Sequence, residues 1–232
     1  MINKDIFAYL EEKYENYKQP ITNISMCLST QNPMVVDERQ VYNFDIITRE
    51  LFDSKHLPTS VDGIDIRDGI VELIEFKTGF KQRITKDNFD EDKMKCEKTN
   101  HLCEEYKELF FDNQERKIKE LIASIRMKAI ESYITLEKHI LPECQDNEPL
   151  LIKLIIVIDA EPSEVMEDTL SILAGDHAKC GSDNIFNNLR TALSRLIKVK
   201  SVNNLDYFYD DIIVVSVADY KNMIVKDESF KK

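Results

Sequence analysis

The segment LLIKLIIVID (Leu150–Asp159) constrains the fold more than any other. A near-continuous aliphatic run of this kind is expected of a central strand covered on both faces, so helical layers must lie on either side of it. A second apolar run, DIIVVSVAD (Asp211–Asp219), reads as another buried strand. Between and before them the pattern is helical. In Glu115–Leu141 the residues Ile118, Leu121, Ile122, Ile125, Ala129, Tyr133, Leu136 and Ile140 form one apolar stripe, which Pro142 ends. Ile185–Ile197 is a second amphipathic helix, and Asp5–Tyr17 is a short, mostly polar one ending before Pro20. Val41–Phe52 leans to helix. Thr59–Ile66 and Ile70–Thr78 read as two strands around a turn supplied by RDG, and Phe80–Thr85 as a short third strand or a loop. The order helix, strand, strand, helix, strand, helix, strand predicts an α/β sandwich with a mixed sheet.

The chain has 232 residues, 43% of them hydrophobic, which suits a single domain spanning 1–232. No repeat or Pro/Gly linker divides it. The stretch Asp87–Glu115, with ten acids against four lysines, reads as an acidic, partly helical insert. No apolar run reaches 18 residues and MINKDIFAYLEEKY lacks the apolar region of a secretory signal, so no membrane span or export is expected. Five irregularly spaced cysteines argue for a reducing, cytoplasmic setting over a disulfide framework. CEKTNHLC (Cys96, His101, Cys103) lacks the paired spacing of a zinc site, and free thiols are the default. The net charge of −12 speaks against non-specific coating of nucleic acid. Two basic strips survive nevertheless: Lys77–Lys86, with Lys81, Arg83 and Lys86, and Ile185–Asn204, with Arg190, Arg195, Lys198 and Lys200.

Chemistry is suggested by one tripeptide in context. Asp/Glu-x-Lys occurs seven times, starting at Glu11, Asp53, Glu75, Glu91, Glu105, Glu115 and Asp219, so the tripeptide alone selects nothing. Most copies lie in polar or charged segments, where a solvated face is the simpler explanation. Only Glu75-Phe76-Lys77 and Asp219-Tyr220-Lys221 end hydrophobic strands, and too little chain follows Asp219 to supply both a covering helix and another strand. Residues i and i+2 share a strand face, so Glu75 and Lys77 project together. A two-residue turn at Asp68-Gly69 pairs Arg67 with Ile70 and sets Asp62 opposite Glu75, with Cβ atoms about 4.5–5.5 Å apart. A three-residue turn would shift this register by one. Two carboxylates so placed repel one another unless a cation lies between them, and hard oxygen ligands at that spacing suit Mg²⁺. Lys77 would then reach the same phosphate or the attacking water. Asp65 pairs with Glu72 on the other face and is the weaker candidate. The bland alternative is a surface hairpin, but Ile64, Ile66, Val71 and Leu73 share the face of Asp62 and Glu75, and a polar pair in an apolar face is costly without a partner.

SVDGIDIRDGIVELIEFKTGF (Ser60–Phe80) resembles the core motif of the PD-(D/E)xK nuclease superfamily. An Asp ends one strand segment and Glu-x-Lys ends the next, with Val61 in place of the usual proline. The resemblance is strong over Leu57–Phe80 and weaker through the helix Glu115–Leu141 and the strand Leu150–Asp159. It implies a restriction-endonuclease-like α-β-β-β-α-β core with a mixed central sheet flanked by helices. It further implies that Asp62 and Glu75 bind metal, that the Phe76 carbonyl adds a ligand and that Lys77 assists the nucleophile. A helix glutamate often completes such sites, for which Glu12 and Glu50 are candidates, and the following helix often adds a Lys or Gln. Here Lys128 lies on the stripe of Leu121, Ile125, Ser132 and Leu136, where it either snorkels to the rim, the favoured outcome, or reaches the site.

The expected activity is Mg²⁺- or Mn²⁺-dependent hydrolysis of phosphodiester bonds in nucleic acid, with DNA the expected polymer. Lys81, Arg83, Lys86, Arg190, Arg195 and Lys198 would hold the backbone. The main rival is an inactive nuclease-fold module that docks a protein partner, or a second copy, through its acidic surface. A nucleic-acid mimic is the third. Defence, repair and phage settings all stay open.

Overall fold

The computed structural model describes residues 5–52, 55–67, 69–80, 104–144, 150–160, 182–197 and 208–229. The elements, in chain order, are α1 (Ile6–Tyr14), β1 (Lys18–Pro20), α2 (Ile21–Ile24), β2 (Met26–Cys27), β3 (Asn32–Pro33), β4 (Gln40–Asn43), α3 (Phe44–Leu51), β5 (Gly63–Arg67), β6 (Ile70–Lys77), α4 (Glu104–Thr135), β7 (Leu151–Ile158), α5 (Ser182–Leu193), β8 (Asp211–Ser216) and α6 (Val217–Ser229). Six strands form one mixed sheet in the order β1-β4-β5-β6-β7-β8. The first four pair antiparallel, and β6, β7 and β8 run parallel. The fold is therefore α/β, with a mixed six-stranded central sheet flanked by helices, and no described helix is long and apolar enough to cross a membrane.

The aliphatic run behaves as its composition demands. On β7, Ile152, Leu154, Ile156 and Ile158 pack into one core with α1 and α4, while Ile155 and Val157 pack into a second core with Ile21, Tyr220 and Ile224 on the opposite face. Each fully buried side chain of this size contributes roughly 1.5–3 kcal/mol. The hairpin β5–β6 pairs Arg67 with Ile70 and Gly63 with Ile74, the register expected of a two-residue turn. Gly69 has φ +75, a conformation that costs a side chain with a Cβ.

Four segments differ from expectation in their boundaries. Val41–Phe52 is not one helix: β4 runs to Asn43, whose side chain caps α3 by accepting the Ile46 N–H at 3.0 Å. Thr59–Ile66 is a strand only from Gly63, because 59–62 is bound instead to α4. Asp211–Asp219 ends as a strand at Ser216. The Ser216 hydroxyl accepts the Asp219 N–H and donates to the Asp219 carboxylate, an N-cap that starts α6. A helix thus follows Asp219, and Asp219 lies in its first turn rather than at the end of a strand. The helix expected over Glu115–Leu141 begins at Glu104, passes through a π turn at Leu136–Ile140 and ends in a 3₁₀ turn at Leu141–Glu143. The expectations for 81–85, for 87–103 of the acidic insert and for Cys96, His101 and Cys103 fall outside the described residues.

Candidate metal centre

Asp62 and Glu75 meet at the end of the β5–β6 hairpin, on the face covered by α4. Their positions are fixed from the backbone outward. The Phe44 N–H donates to the Asp62 carbonyl at 3.0 Å, tying the residue to the start of α3. Just before it, the Thr59 N–H and hydroxyl donate to the Glu131 carboxylate, and the Val61 N–H donates to the Ser132 hydroxyl at 2.8 Å. Glu131 and Ser132 lie three and four residues after Lys128, so one face of α4 docks this segment and presents Lys128 to it. The buried Tyr209 hydroxyl, donating to the Ala129 carbonyl at 2.6 Å, holds that same turn of α4.

The Lys128 ammonium donates to Glu75 Oε2 at 2.8 Å and to Asp62 Oδ1 at 3.2 Å. The favoured snorkelling of Lys128 is thus replaced by direct contact with both acids. Asp62 Oδ2 accepts the Phe76 N–H at 2.7 Å. The N–H and C=O of a strand residue point to the same side, so the Phe76 carbonyl faces the edge where Asp62 sits. Its ring lies on the other face, edge-on to Tyr220. Lys77 Nζ stands 3.9 Å from Glu75 Oε1, beyond hydrogen-bond reach. Its backbone is held by the Asp159 N–H, and the Asp159 carboxylate accepts the N–H groups of Gly79 and Phe80 at 2.8 and 2.9 Å.

Glu75 is only 1% exposed, and its Oε1 has no hydrogen-bond partner among the described residues. Burial, and then the charge of Asp62, push its carboxyl up to about 8 despite Lys128. Burial also raises Asp62, against the pull of Lys128. Burial opposes charge on Lys128, but the two carboxylates outweigh it and hold the ammonium above its ordinary range. The group opens into a cleft of about 320 Å³ lined by Asp62, Glu75, Phe76, Lys77, Thr78 and Lys128 on one side and by 24–29 and Met34 on the other.

This donor set fits a hard divalent cation: two carboxylates, one of them with an orphaned oxygen, beside a backbone carbonyl, leaving positions for water and phosphate. Among the described residues no group of three or more His, Cys, Asp or Glu side chains could hold a metal by itself. The remaining candidates are not brought to the cleft. Glu12 and Glu50 are exposed and do not line it. Asp65 lies on the opposite face, bound by Arg67 at 2.7 Å. Arg190 and Arg195 are exposed along and just after α5, and Lys81, Arg83, Lys86 and Lys198 fall outside the described residues. Sequence reasoning missed Asp45, whose carboxylate takes the Ser60 hydroxyl and whose charge raises Asp62 and bears on Lys128. The N-cap signal at Asn43 would have placed it in the first turn of a helix beside the site. Comparison with known protein families, with curated proteins and with solved structures finds no match for this chain.

Proposed function

We propose that the protein is a divalent-metal-dependent nuclease of the PD-(D/E)xK type, hydrolysing phosphodiester bonds of nucleic acid, with DNA the expected polymer. The observation that carries this reading is the buried Glu75 carboxylate, whose Oε1 accepts no hydrogen bond among the described residues and has only the Lys77 charge at 3.9 Å, facing a cleft beside Asp62 and two lysines. A buried acid left so is costly in a purely structural role and useful in a ligand role. Asp62 and Glu75 would hold Mg²⁺ or Mn²⁺, with the Phe76 carbonyl as a further ligand. When bound, the ion polarises a phosphate oxygen and lowers the pKa of a coordinated water. Lys77, on the same strand face as Glu75, would stabilise charge developing on the phosphate. Lys128 keeps the two carboxylates together and adds a second positive group to the cleft. Exposed Arg190 and Arg195 would contribute to backbone contacts elsewhere on the surface.

One observation favours a second reading, a non-catalytic nuclease-like module. With both acids ionised, Asp62, Glu75, Lys77 and Lys128 sum to zero charge, and with Glu75 protonated to +1, so these four groups need no added cation for balance. Calorimetry with Mg²⁺ and Mn²⁺ on the wild type and on Glu75→Ala, alongside cleavage of mixed DNA and RNA, separates the two. Metal binding and cleavage that both vanish in the variant support the nuclease. A wild type that binds neither ion at millimolar concentration, with or without nucleic acid, sinks it in favour of the balanced cluster.

A further inference from the structure

The cleft has two chemically different walls, and only one belongs to the ionic cluster. The other is the β2–β3 hairpin with the end of α2, which brings Ile24, Met26, Leu28 and Met34 to line it beside Ser25, Cys27 and Ser29. Leu28 is 88% exposed and Met26 37%, so apolar side chains stand in solvent at the mouth of a charged cleft. The hairpin holds them there firmly. The Ser25 hydroxyl exchanges hydrogen bonds with the Val35 backbone at 3.1 Å in both directions, and the Met34 N–H donates to the Ser25 carbonyl at 2.9 Å. The turn closes through the Gln31 N–H to the Cys27 carbonyl, with Gln31 at φ 57. Cys27 Sγ reaches the Thr78 hydroxyl at 3.6 Å, linking the hairpin to the residue after Lys77.

We propose that this hairpin is the base-binding wall of the cleft, and that the substrate is a strand whose nucleotide at the scissile phosphate is unpaired. The inference rests on the nuclease reading and names the substrate class of the same site. Lys77 and Lys128 supply the positive charge a phosphate needs, and Met26 and Leu28 supply the aliphatic surface against which an unstacked base packs. Leu and Met are among the residues that wedge between bases in other nucleic-acid complexes. A cleft of about 320 Å³ lies at the small end of ligand pockets and takes one nucleotide, not a stacked pair. Base pairing must be broken before a nucleotide can enter such a space, which favours single strands and frayed ends over intact duplex. Short Cys27 and Ser29 side chains, bonded to one another, flank Leu28, so the wall offers packing rather than base-edge readout and tolerates any base.

The test is fluorescence titration of the full-length protein with a short oligonucleotide carrying one 2-aminopurine, single-stranded or in a duplex, in Ca²⁺ and again in EDTA. Wild type, Leu28→Ser and Val36→Ser are compared. Val36 is also exposed but lies outside the cleft, so it controls for loss of surface apolarity. The expected result is single-strand binding about tenfold tighter than duplex, weakened about tenfold by Leu28→Ser and unchanged by Val36→Ser. Equal affinity for both forms, an indifferent Leu28→Ser, or no binding of either form overturns the proposal. Metal calorimetry reads the other half independently. A protein that binds Mg²⁺ through Glu75 but treats both strands alike loses only the wall. One that binds single strands through Leu28 but no metal loses only the nuclease.

Discussion

The β5–β6 hairpin carries two pairs of acids on opposite faces, Asp65 with Glu72 across the strands and Asp62, just before β5, with Glu75, and they are treated in opposite ways. Asp65 and Glu72 lie directly across from one another, and Arg67 on the same strand reaches Asp65 at 2.7 Å and Glu72 at 3.5 Å. Arg67, the cation that bonds both, is local in sequence, Arg39 and Lys153 add positive charge near Glu72, and the two acids keep 13% and 20% of their side-chain surface. Asp62 and Glu75 are separated from that pair by three residues along each strand, yet their cation comes from Lys128 on α4. Glu75 is almost wholly buried, and one of its oxygens is left over. The same residue types in the same hairpin thus make a closed ion cluster on one face and an open one on the other. What differs is how deeply the helix covers them and how far away the compensating charge originates.

Glu75→Ala and Glu72→Ala make the sharpest contrast. The first removes a carboxylate from the open cluster and should cut metal-dependent cleavage by a factor on the order of 10²–10³ or more. The second should leave cleavage within about twofold of wild type, since surface changes away from a site rarely matter more. Equal losses in a cleavage assay would show that the two faces do not differ in function.

Lys128→Met and Arg67→Met move the contrast to stability. Removing Lys128 leaves two carboxylates close together, one fully buried. Breaking a buried pair costs about 3–5 kcal/mol, and the residual exposure of Lys128 and Asp62 places the expected loss nearer 2–3 kcal/mol. Arg67→Met should cost about 1 kcal/mol, because water reaches both of its acids. Millimolar Mg²⁺ should restore the melting temperature of Lys128→Met alone, since only that cluster would take a divalent cation in place of the ammonium. Restoration of Arg67→Met to the same extent would remove the distinction.

The two clusters were not equally legible in the sequence. The placing of Asp62 beside Glu75 followed from a dipeptide turn and a period of two, both local properties; Gly69 at φ +75 and the register from Arg67–Ile70 to Gly63–Ile74 bear out the turn, while Asp62 itself stands just before the strand. The aliphatic strand β7 was legible for the same reason: its burial on both faces is written in ten consecutive residues. Lys128 was legible only as two alternatives. Whether a lysine on an apolar stripe reaches an acid or the solvent depends on the distance between helix and sheet, which Glu131, Ser132 and Tyr209 fix through contacts far apart in sequence. The boundaries at Asn43 and Ser216 were misjudged for a different reason. Their capping side chains carry the signal, N-F-D-I and S-V-A-D, but each sits beside apolar residues whose pattern runs across the boundary.

pH separates the two faces by a smaller amount. In the folded protein Glu75 is pushed up to about 8 from an ordinary value of 4.5. Between those limits the folded state holds a proton that the unfolded chain has lost, so stability falls as pH rises. Without metal, that linkage is worth about 2 kcal/mol between pH 6 and pH 8, and the melting temperature should drop by about 5–9 °C. Binding of a divalent cation releases that proton, so Mg²⁺ should stabilise more at pH 8 than at pH 6. Asp62 and Glu72 are also raised by burial, and each lowers stability in the same sense as pH rises above its ordinary value. Glu75→Gln should nevertheless flatten most of the slope, and Glu72→Gln should leave most of it. The reverse pattern in thermal melts would place the unusual proton on the closed face.

The smallest effect concerns Cys27, which lines the cleft on the open face only. Hydrogen bonds from the Ser29 hydroxyl, then from Thr30 and Thr78, lower its thiol to about 6. The thiolate is the reactive form, so alkylation should already be near its plateau at pH 7, where an ordinary cysteine of pKa about 8.5 is still accelerating. The plateau itself should be modest, because the Cys27 side chain is buried and a stabilised thiolate is a weaker nucleophile. The iodoacetamide rate followed by mass spectrometry from pH 5 to pH 9 gives the midpoint directly, and Thr78→Val should shift it upward by removing one of the donors. Alkylation also places an amide group between the hairpin and Glu75, so the modified protein should lose part of its metal-dependent cleavage, and Cys27→Ser should be immune to the reagent. A midpoint near 8.5, or full activity after complete labelling of Cys27, would separate the thiol from the open cluster and leave it a packing residue of the hairpin.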